Sequence, residues 1–515
     1  MRFHESTLAC AAITHSKKGT PLHVTRRQFV EGSTLALGST FLRASPIGAS
    51  PKPFGALPSS MQLAWSRLET YAFLHFSVNT FTDLEWGLGD EDPNVFNPTA
   101  FNPDAIVLGL KYAGMKAVIL TCKHHDGFCL WPTKTTEHSI RKSVWKDGKG
   151  DVVRDISNAA RRHGLKFGVY VSPWDRNNAN YGKPEYLPIY RAQITELLSS
   201  YGSIFEVWFD GANGGDGYYG GAREKRSIDK NYYEWPRILE LVHRLQPEAV
   251  VFGAEGDIRW VGNEKGIAGE TCWATYTPGK PSEKKDIHAS DWSAALNSGT
   301  RLGEQWKPAE CDVSIRPGWF YHPSQDSQVR TPENLIDLYF ESVGRGASLL
   351  LNFSPNRQGL ISPQDAAAGA AFHERCEALF AKNLARDAVL HASNIRGDAR
   401  EFAPRNLVDG DPNTFWATDD NVPLPEIVVD FQKPVQVDVI RLREATALGQ
   451  RIGAIAVDTW KNKAWEFVAS ATSIGSCRLL RFLQPLQTER LRLRITDSTV
   501  APALSELGVY RWPTV

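Results

Sequence analysis

An aspartate stands where an apolar run gives way to glycine. Ile204 to Phe209 reads as a buried strand, Asp210 ends it, and Gly211-Ala212-Asn213-Gly214 follows as a loop of small residues. In a barrel of parallel strands, the residue closing a strand at its C-terminal side points into a shared mouth. Glycines beyond it let a ligand approach the backbone. The alternative for Asp210 is an ordinary turn-holding residue. Further on, Glu255, Asp257, Arg259, Trp260, Asn263 and Glu264 crowd one polar stretch, all side chains able to grip a ligand. Before it, His124 and His125 are adjacent, which raises the question of a metal, because imidazole is a common ligand. Neighbours on a strand point to opposite faces, so one ion meets only one of them unless the strand ends between them. No third and fourth ligand follow at helical spacing. Hydroxyl binding is the better reading of the pair, and no metal or cofactor is expected.

These residues need elements to hold them, and the sequence from Met61 to about Cys376 supplies alternating strand-like and helix-like segments. Strands are expected at Tyr71 to Phe76, Ala117 to Cys122, Phe167 to Val171, Ile204 to Phe209, Ala249 to Phe252, Cys311 to Ile315 and Ala347 to Phe353. Helices are expected at Asp104 to Ala113, Val152 to His163, Ile189 to Tyr201, Trp235 to Leu245 and Leu335 to Val343, several of them punctuated by Pro at the start or Gly at the end. Each short apolar strand finishes in a polar, aromatic-rich loop, the way barrel enzymes assemble a site from several strand ends. The fold class read here is α/β, a (β/α)8-like TIM barrel over residues 51–385.

From about His391 the texture changes to short alternating strands, Glu426 to Phe431, Gln436 to Arg443, Ile452 to Thr459 and Arg490 to Ile495, without helical periodicity. That pattern argues for an antiparallel β-sandwich over residues 386–515. Arg490, Arg492 and Arg494 alternate with Leu491, Leu493 and Ile495, which describes a strand with one wet face.

Composition narrows the function classes. Lys plus Arg equals Asp plus Glu at 58 each, so no basic surface for nucleic acid and no polybasic membrane anchor is expected. Sixteen Trp tilt the reading towards carbohydrate, because indole stacks on the apolar face of a pyranose, although Trp is also a core residue. Cysteines show no C-x-x-C spacing; Cys122 and Cys129 read as free and buried. Residues 1–50 read as a twin-arginine export signal and linker, with Arg26-Arg27-Gln28-Phe29 before a modest apolar run. The run is too short to span a bilayer. The expected location is periplasmic or secreted, without membrane attachment after signal removal.

The motifs together resemble a known family. His75 to Phe81, Glu85-Trp86-Gly87, Lys123 to Phe128, Gly168 to Trp174, Glu206 to Gly214, Asp257 to Glu264 and Ala309 to Trp319 are similar to the retaining α-L-fucosidases of glycoside hydrolase family 29. The C-terminal stretch resembles the discoidin-like (coagulation factor 5/8 type C) module. The resemblance covers about residues 60 to 375 and implies a fucosylated oligosaccharide or glycoconjugate as substrate. It implies Asp210 as nucleophile and an acid/base on the second polar stretch, where Glu264 is preferred over Glu255. It further implies His75, Glu85, Trp86, His124, His125, Tyr170, Trp208, Arg259 and Trp319 around the sugar, with Trp208 and Trp319 as apolar walls. The forms of the Trp208–Gly214 and Asp257–Glu264 segments are similar to the subgroup acting on α-1,3/1,4-linked fucose. Two alternatives stay open: a retaining glycosidase for another sugar, and a glycan-binding protein without turnover.

Overall fold

The computed structural model describes residues 49–279 and 291–513. Eight parallel strands form the first sheet: β1 (Thr70–Leu74), β2 (Ala117–Lys123), β3 (Lys166–Val171), β4 (Glu206–Trp208), β5 (Val250–Phe252), β6 (Arg259–Trp260), β7 (Ala309–Ser314) and β8 (Ser348–Asn352). Neighbours pair in sequence order from β1 to β5, β8 pairs with β1 and β7, and β7 pairs with β6. A single bridge, Phe252 to Ile258, closes the ring between β5 and β6. The result is a nearly closed TIM-like barrel. The strands are almost wholly buried, because helices cover the outside and side chains fill the inside.

The covering helices begin and end where local chemistry says they should. α4 (Val152–His163) starts on Asp151, whose carboxylate accepts the Arg154 N–H, and stops at Gly164 in the left-handed region. Its last turn carries Arg161, Arg162 and His163, which suits the negative end of the helix dipole. α2 (Val78–Thr82) and α3 (Pro103–Tyr112), the latter capped by Asn102, follow β1, and α5 (Tyr186–Ser200) follows β3. α6 (Trp235–Leu245), α8 (Pro332–Glu341) and α9 (Pro363–Phe380) follow β4, β7 and β8, and α7 (Asp291–Ser298) follows β6. No helix follows β5: residues 253–258 turn straight into β6, with Gly253, Ala254 and Glu255 at φ of 74°, 52° and 61°. α1 (Ser60–Ser66), with a capping box on Ser59 and Gln62, covers the N-terminal end of the barrel.

Inside the barrel, side chains two residues apart stack along each strand. Tyr71, Glu206, Glu310 and Ser348 share the lowest level, where Trp65 Nε1 reaches Glu206 and the Tyr71 hydroxyl reaches Glu310 and Ser348. Phe73, Trp208, Asp312 and Leu350 sit above them, followed by His75, Tyr170, Asp210, Ser314 and Asn352 at the C-terminal mouth. Burial pushes both Glu206 and Glu310 above the ordinary carboxyl range, and the neighbouring Glu310 pushes Glu206 further up.

The second sheet is antiparallel. It comprises β9 (Val389–Ala392), β10 (Trp416–Ala417), β11 (Glu426–Glu444), β12 (Ile452–Lys461), β13 (Ala464–Thr472), β14 (Arg478–Ser498) and β15 (Ala503–Tyr510). The two strands expected at 426–431 and 436–443 are one long strand, bent at register shifts near Asp430 to Val439. Bent strands β11 and β14 run through both layers, and Val429, Ile440, Val457, Leu491, Leu493, Leu507 and Val509 face one another between them. On the wet face, Arg492 and Arg494 are both held by Asp458. The six cysteines among the described residues are free, Cys122 and Cys129 buried. No described helix is long and apolar enough to cross a membrane. The export-signal reading concerns residues that, apart from 49 and 50, lie outside the described part of the chain.

Candidate active site

Asp210 lies one residue beyond Phe209, past the end of β4, with a quarter of its side chain exposed. Its Oδ1 accepts the Ala212 N–H at 2.7 Å, and its Oδ2 accepts the Tyr170 hydroxyl at 3.0 Å. The small residues after it make the first of these bonds, an Asx-type turn that aims the carboxylate into the mouth. His125 Nε2 stands 3.8 Å from Oδ2. Burial and the Asp210 charge push the Tyr170 hydroxyl well above its ordinary value, so it stays a proton donor to the carboxylate.

Three imidazoles surround this point. β2 ends at Lys123, before the histidine pair, so the alternation of a strand no longer separates them: the rings of His124 and His125 lie 4.1 Å apart and both face the mouth. His75, at the end of β1, lies 5.9 Å from His124 and 5.2 Å from the Trp319 ring. Burial lowers the pKa of all three, that of His75 to about 3. They are therefore neutral near pH 7, each with one N–H and one lone pair. Neutral imidazoles suit hydroxyl groups.

The loops after β1 and β7 are locked together through Glu85. Its carboxylate accepts the backbone N–H groups of Trp319 and Phe320 and meets His322 Nε2 at 2.6 Å; His322 Nδ1 in turn meets Asp83 at 2.9 Å. Glu85 thus holds Trp319 in place from the edge of the mouth. Trp319 is half-buried, and its Nε1 donates to Glu264 Oε2 at 3.3 Å. Glu264 itself is exposed in the loop after β6. Trp86 is 50% exposed and sits edge-on to His125 and Trp174, an aromatic surface at the rim.

Glu255 is elsewhere. Its carbonyl is held by Lys307 Nζ, just ahead of β7, and the neighbouring carbonyls of Asp257 and Trp306 are held by Gln62 of α1. Of the two competing glutamates, Glu264 meets Trp319 at the mouth, whereas the contact of Glu255 is through its carbonyl to Lys307. Two further residues of the expected site are held by packing partners. Arg259 is buried, with its guanidinium directed to the Leu296 and Lys307 carbonyls and to Cys272. Its β6 neighbour Trp260 takes the inward position instead and donates to Asp312 at 2.7 Å. Trp208 stacks on Phe252 at 4.1 Å, donates to Glu310 and lies against Tyr170 at the base of the mouth.

Comparison with known proteins places this geometry. The α-L-fucosidase family model matches residues 60–370, and the F5/8 type C domain model matches residues 390–507. An α-L-fucosidase 1 of Arabidopsis thaliana is 41% identical over 93% of this chain and 92% of its own. A glycoside hydrolase family 29 member from an unknown rumen bacterium superposes with a TM-score of 0.80 at 39% identity, over 90% of this chain and 79% of that one. A family 29 fucosidase of Ruminococcus gnavus, solved in complex with fucose, superposes with a TM-score of 0.81 at 31% identity, over 91% and 97%. The chain belongs to the α-L-fucosidase family. It is a glycoside hydrolase of that type, carrying an F5/8 type C module.

Within this fucosidase framework, several residues that matter escaped the sequence reading. Asn352 and Asn79 orient His75 and His124, and Ser172 orients His125. Asn352 ends β8 and Ser172 directly follows β3, the one signal that marks them, whereas Asn79 lies in the short helix after β1. Arg176 was missed for another reason. It is buried and directs its guanidinium to backbone carbonyls, Asp216 O at 2.6 Å and Gly87 O at 2.6 Å. Its own backbone bonds His125 O and Tyr219 N–H. One residue, through its side chain and backbone, thereby ties together the loops after β1, β2, β3 and β4. Among the described residues no group of three His, Cys, Asp or Glu is arranged to hold a metal ion.

Proposed function

We propose that this fucosidase acts from the non-reducing end, by double displacement with retention, on α-1,3/1,4-linked fucose of glycans. The observation that carries the reading is the Asp210 carboxylate, fixed by Tyr170 and Ala212 in a mouth of neutral imidazoles. In this mechanism Asp210 attacks the anomeric carbon and forms a fucosyl-enzyme, while Glu264 gives its proton to the departing glycosidic oxygen. Glu264 then takes a proton from water, which attacks the same carbon and frees Asp210. Trp319 suits the role of orienting Glu264, because an indole N–H on one carboxyl oxygen leaves the other for the leaving group. Trp319 and Trp86 supply aromatic faces for the sugar. The linkage preference is supported by the form of the Trp208–Gly214 and Asp257–Glu264 segments.

Asp210→Ala is expected to abolish turnover without loss of fold, and added azide to restore part of it by yielding the β-fucosyl azide. Glu264→Ala should slow poor leaving groups most and activated aryl fucosides least. Wild-type digestion of α-1,2-, 1,3-, 1,4- and 1,6-fucosylated glycans, followed by anomer-resolved NMR, tests retention and linkage together. First release of β-fucose would overturn the double displacement, and a preference for α-1,2 or α-1,6 links would overturn the linkage.

A further inference from the structure

We propose that His75, His124 and His125 are fixed in unlike ring tautomers, so that the mouth presents an acceptor, a donor and an acceptor to the hydroxyls of the bound sugar. In a neutral imidazole only one nitrogen carries hydrogen, so the partner of Nδ1 determines what Nε2 offers to the ligand.

For His75 the partner is Asn352 Oδ1, 2.8 Å from Nδ1. The amide cannot be reversed, because the same Oδ1 accepts the His75 backbone N–H while Nδ2 donates to the Trp319 carbonyl at 2.8 Å. Nδ1 therefore carries the hydrogen, and Nε2 is a lone pair. For His125 the partner is Ser172 Oγ at 2.7 Å. That hydroxyl has a single hydrogen, committed to the Trp174 carbonyl at 2.9 Å, so its oxygen accepts from Nδ1–H. His125 Nε2 is again a lone pair, and it stands 3.8 Å from Asp210 Oδ2. Two acceptors side by side require a donor, so the hydroxyl beside the nucleophile has to give its hydrogen to this pair.

His124 is the reverse case. Its Nδ1 lies 3.4 Å from Asn79 Nδ2. The Gly87 N–H, donating to Asn79 Oδ1 at 3.2 Å, fixes that amide with its nitrogen towards His124. One hydrogen of that nitrogen goes to Asp126 Oδ2 at 3.1 Å, and the other is shared between the Glu85 carbonyl and His124 Nδ1, each at 3.4 Å. Asp126 Oδ2, 3.8 Å from Nδ1, is beyond hydrogen-bond reach, and an amide nitrogen has no lone pair to offer, so Nδ1 accepts and Nε2–H points onward as a donor. The polarity of the site is thus written by two asparagines and a serine behind the rings. A sugar with its hydroxyls in the same places but unable to supply two donors is rejected, because each unmet buried acceptor costs about tenfold or more in affinity.

The tautomers do not depend on which sugar binds; the second test rests on the fucosidase reading. Ring-nitrogen NMR of the full chain labelled with 15N-histidine, without ligand at pH 7.5, reads protonated and bare nitrogens directly. Signals are assigned by His75→Gln, His124→Gln and His125→Gln, and a joint neutron and X-ray structure reads the same protons without substitution. His75 and His125 are expected as Nδ1–H and His124 as Nε2–H; any other tautomer, or an imidazolium, overturns the proposal. In competition assays, fluorine accepts weakly but never donates. Of 2-, 3- and 4-deoxyfluoro-L-fucose, one is expected within about threefold of L-fucose and two weaker by about tenfold or more. Equal binding of all three overturns the pattern. If L-fucose itself fails to compete while the NMR result holds, the sugar assignment falls and the tautomers stand.

Discussion

The hydrogen bonds of the Arg176 guanidinium go to carbonyls of the Trp86 and Asp216 loops. Its guanidinium also lies 4.9 Å over the Trp174 ring. A planar fork that grips two loops from a third is a positioning device. It sets where Trp86 stands relative to His125. Arg176→Met keeps the stem and the packing on Trp174 but loses the fork. Charged hydrogen bonds of this kind are worth about 1.5–3 kcal/mol each. We expect KM for a fucosylated oligosaccharide to rise about tenfold, equivalent to 1.4 kcal/mol, with kcat within about threefold. Arg176→Lys should recover part of the KM. A fall in kcat with KM unchanged would instead place Arg176 in the chemistry. Residues of this sort are illegible in a sequence because backbone carbonyls leave no signature, whereas Asp210 is legible from the apolar run before it and the glycine after it. Arg259 is the converse case: a charged residue in the right motif that bonds the Leu296 and Lys307 carbonyls, while the strand alternation brings Trp260 in.

At the scale of elements, the strands and helices with clean punctuation were readable. Val152–His163 and Trp235–Leu245 begin and end where Asp151, Gly164 and Pro236 say they should. β6 was not readable. It is two residues long and follows β5 without a helix, where a parallel connection ordinarily needs a dozen residues or more. The chain makes the turn by placing Ala254 and Glu255, neither of them glycine, in the left-handed region. That conformation costs roughly 1–2 kcal/mol for a residue with a Cβ. Glycine there removes the clash but adds freedom to the unfolded chain. Ala254→Gly is therefore expected to stabilise by up to about 1 kcal/mol, seen as a higher denaturation midpoint at unchanged slope. Glu255→Ala is expected to leave kcat unchanged for every leaving group. A leaving-group dependence in that variant would restore Glu255 as the acid and displace Glu264.

For the whole molecule, the sequence draws a boundary near residue 385 that the packing does not respect. α9 ends at Phe380 and β9 begins at Val389, yet Val439, Cys477, Leu479 and Tyr510 of the sandwich are part of the same apolar core as the barrel helices. Polar contacts cross as well: Ala274 N–H to Gln450, Arg478 to the Glu270 carbonyl, and Arg481 to Asp337. The centre of the joint is Arg443, 2.5 Å from Glu69 at the foot of β1 and 2.9 Å from Glu506. Burial disfavours ionisation of Glu69, but Arg443 and Lys116 outweigh it and hold its carboxyl below the usual range. Composition and periodicity see each half's own strands and miss an interface made of side chains about 370 residues apart in the chain. Such a joint makes the F5/8 type C module a brace for the barrel, whatever else it binds. Removing one partner of a buried pair leaves the other charge uncompensated and costs about 3 kcal/mol or more. Arg443→Met is therefore expected to destabilise strongly, while Arg443→Met combined with Glu69→Met recovers part of the loss, as a double-mutant cycle measures. Because the core is shared, calorimetry of the wild type should show one transition whose van't Hoff and calorimetric enthalpies agree. Two resolved transitions, with the Arg443→Met loss confined to one, would mean that barrel and sandwich fold as separate units and that the shared core does not couple them.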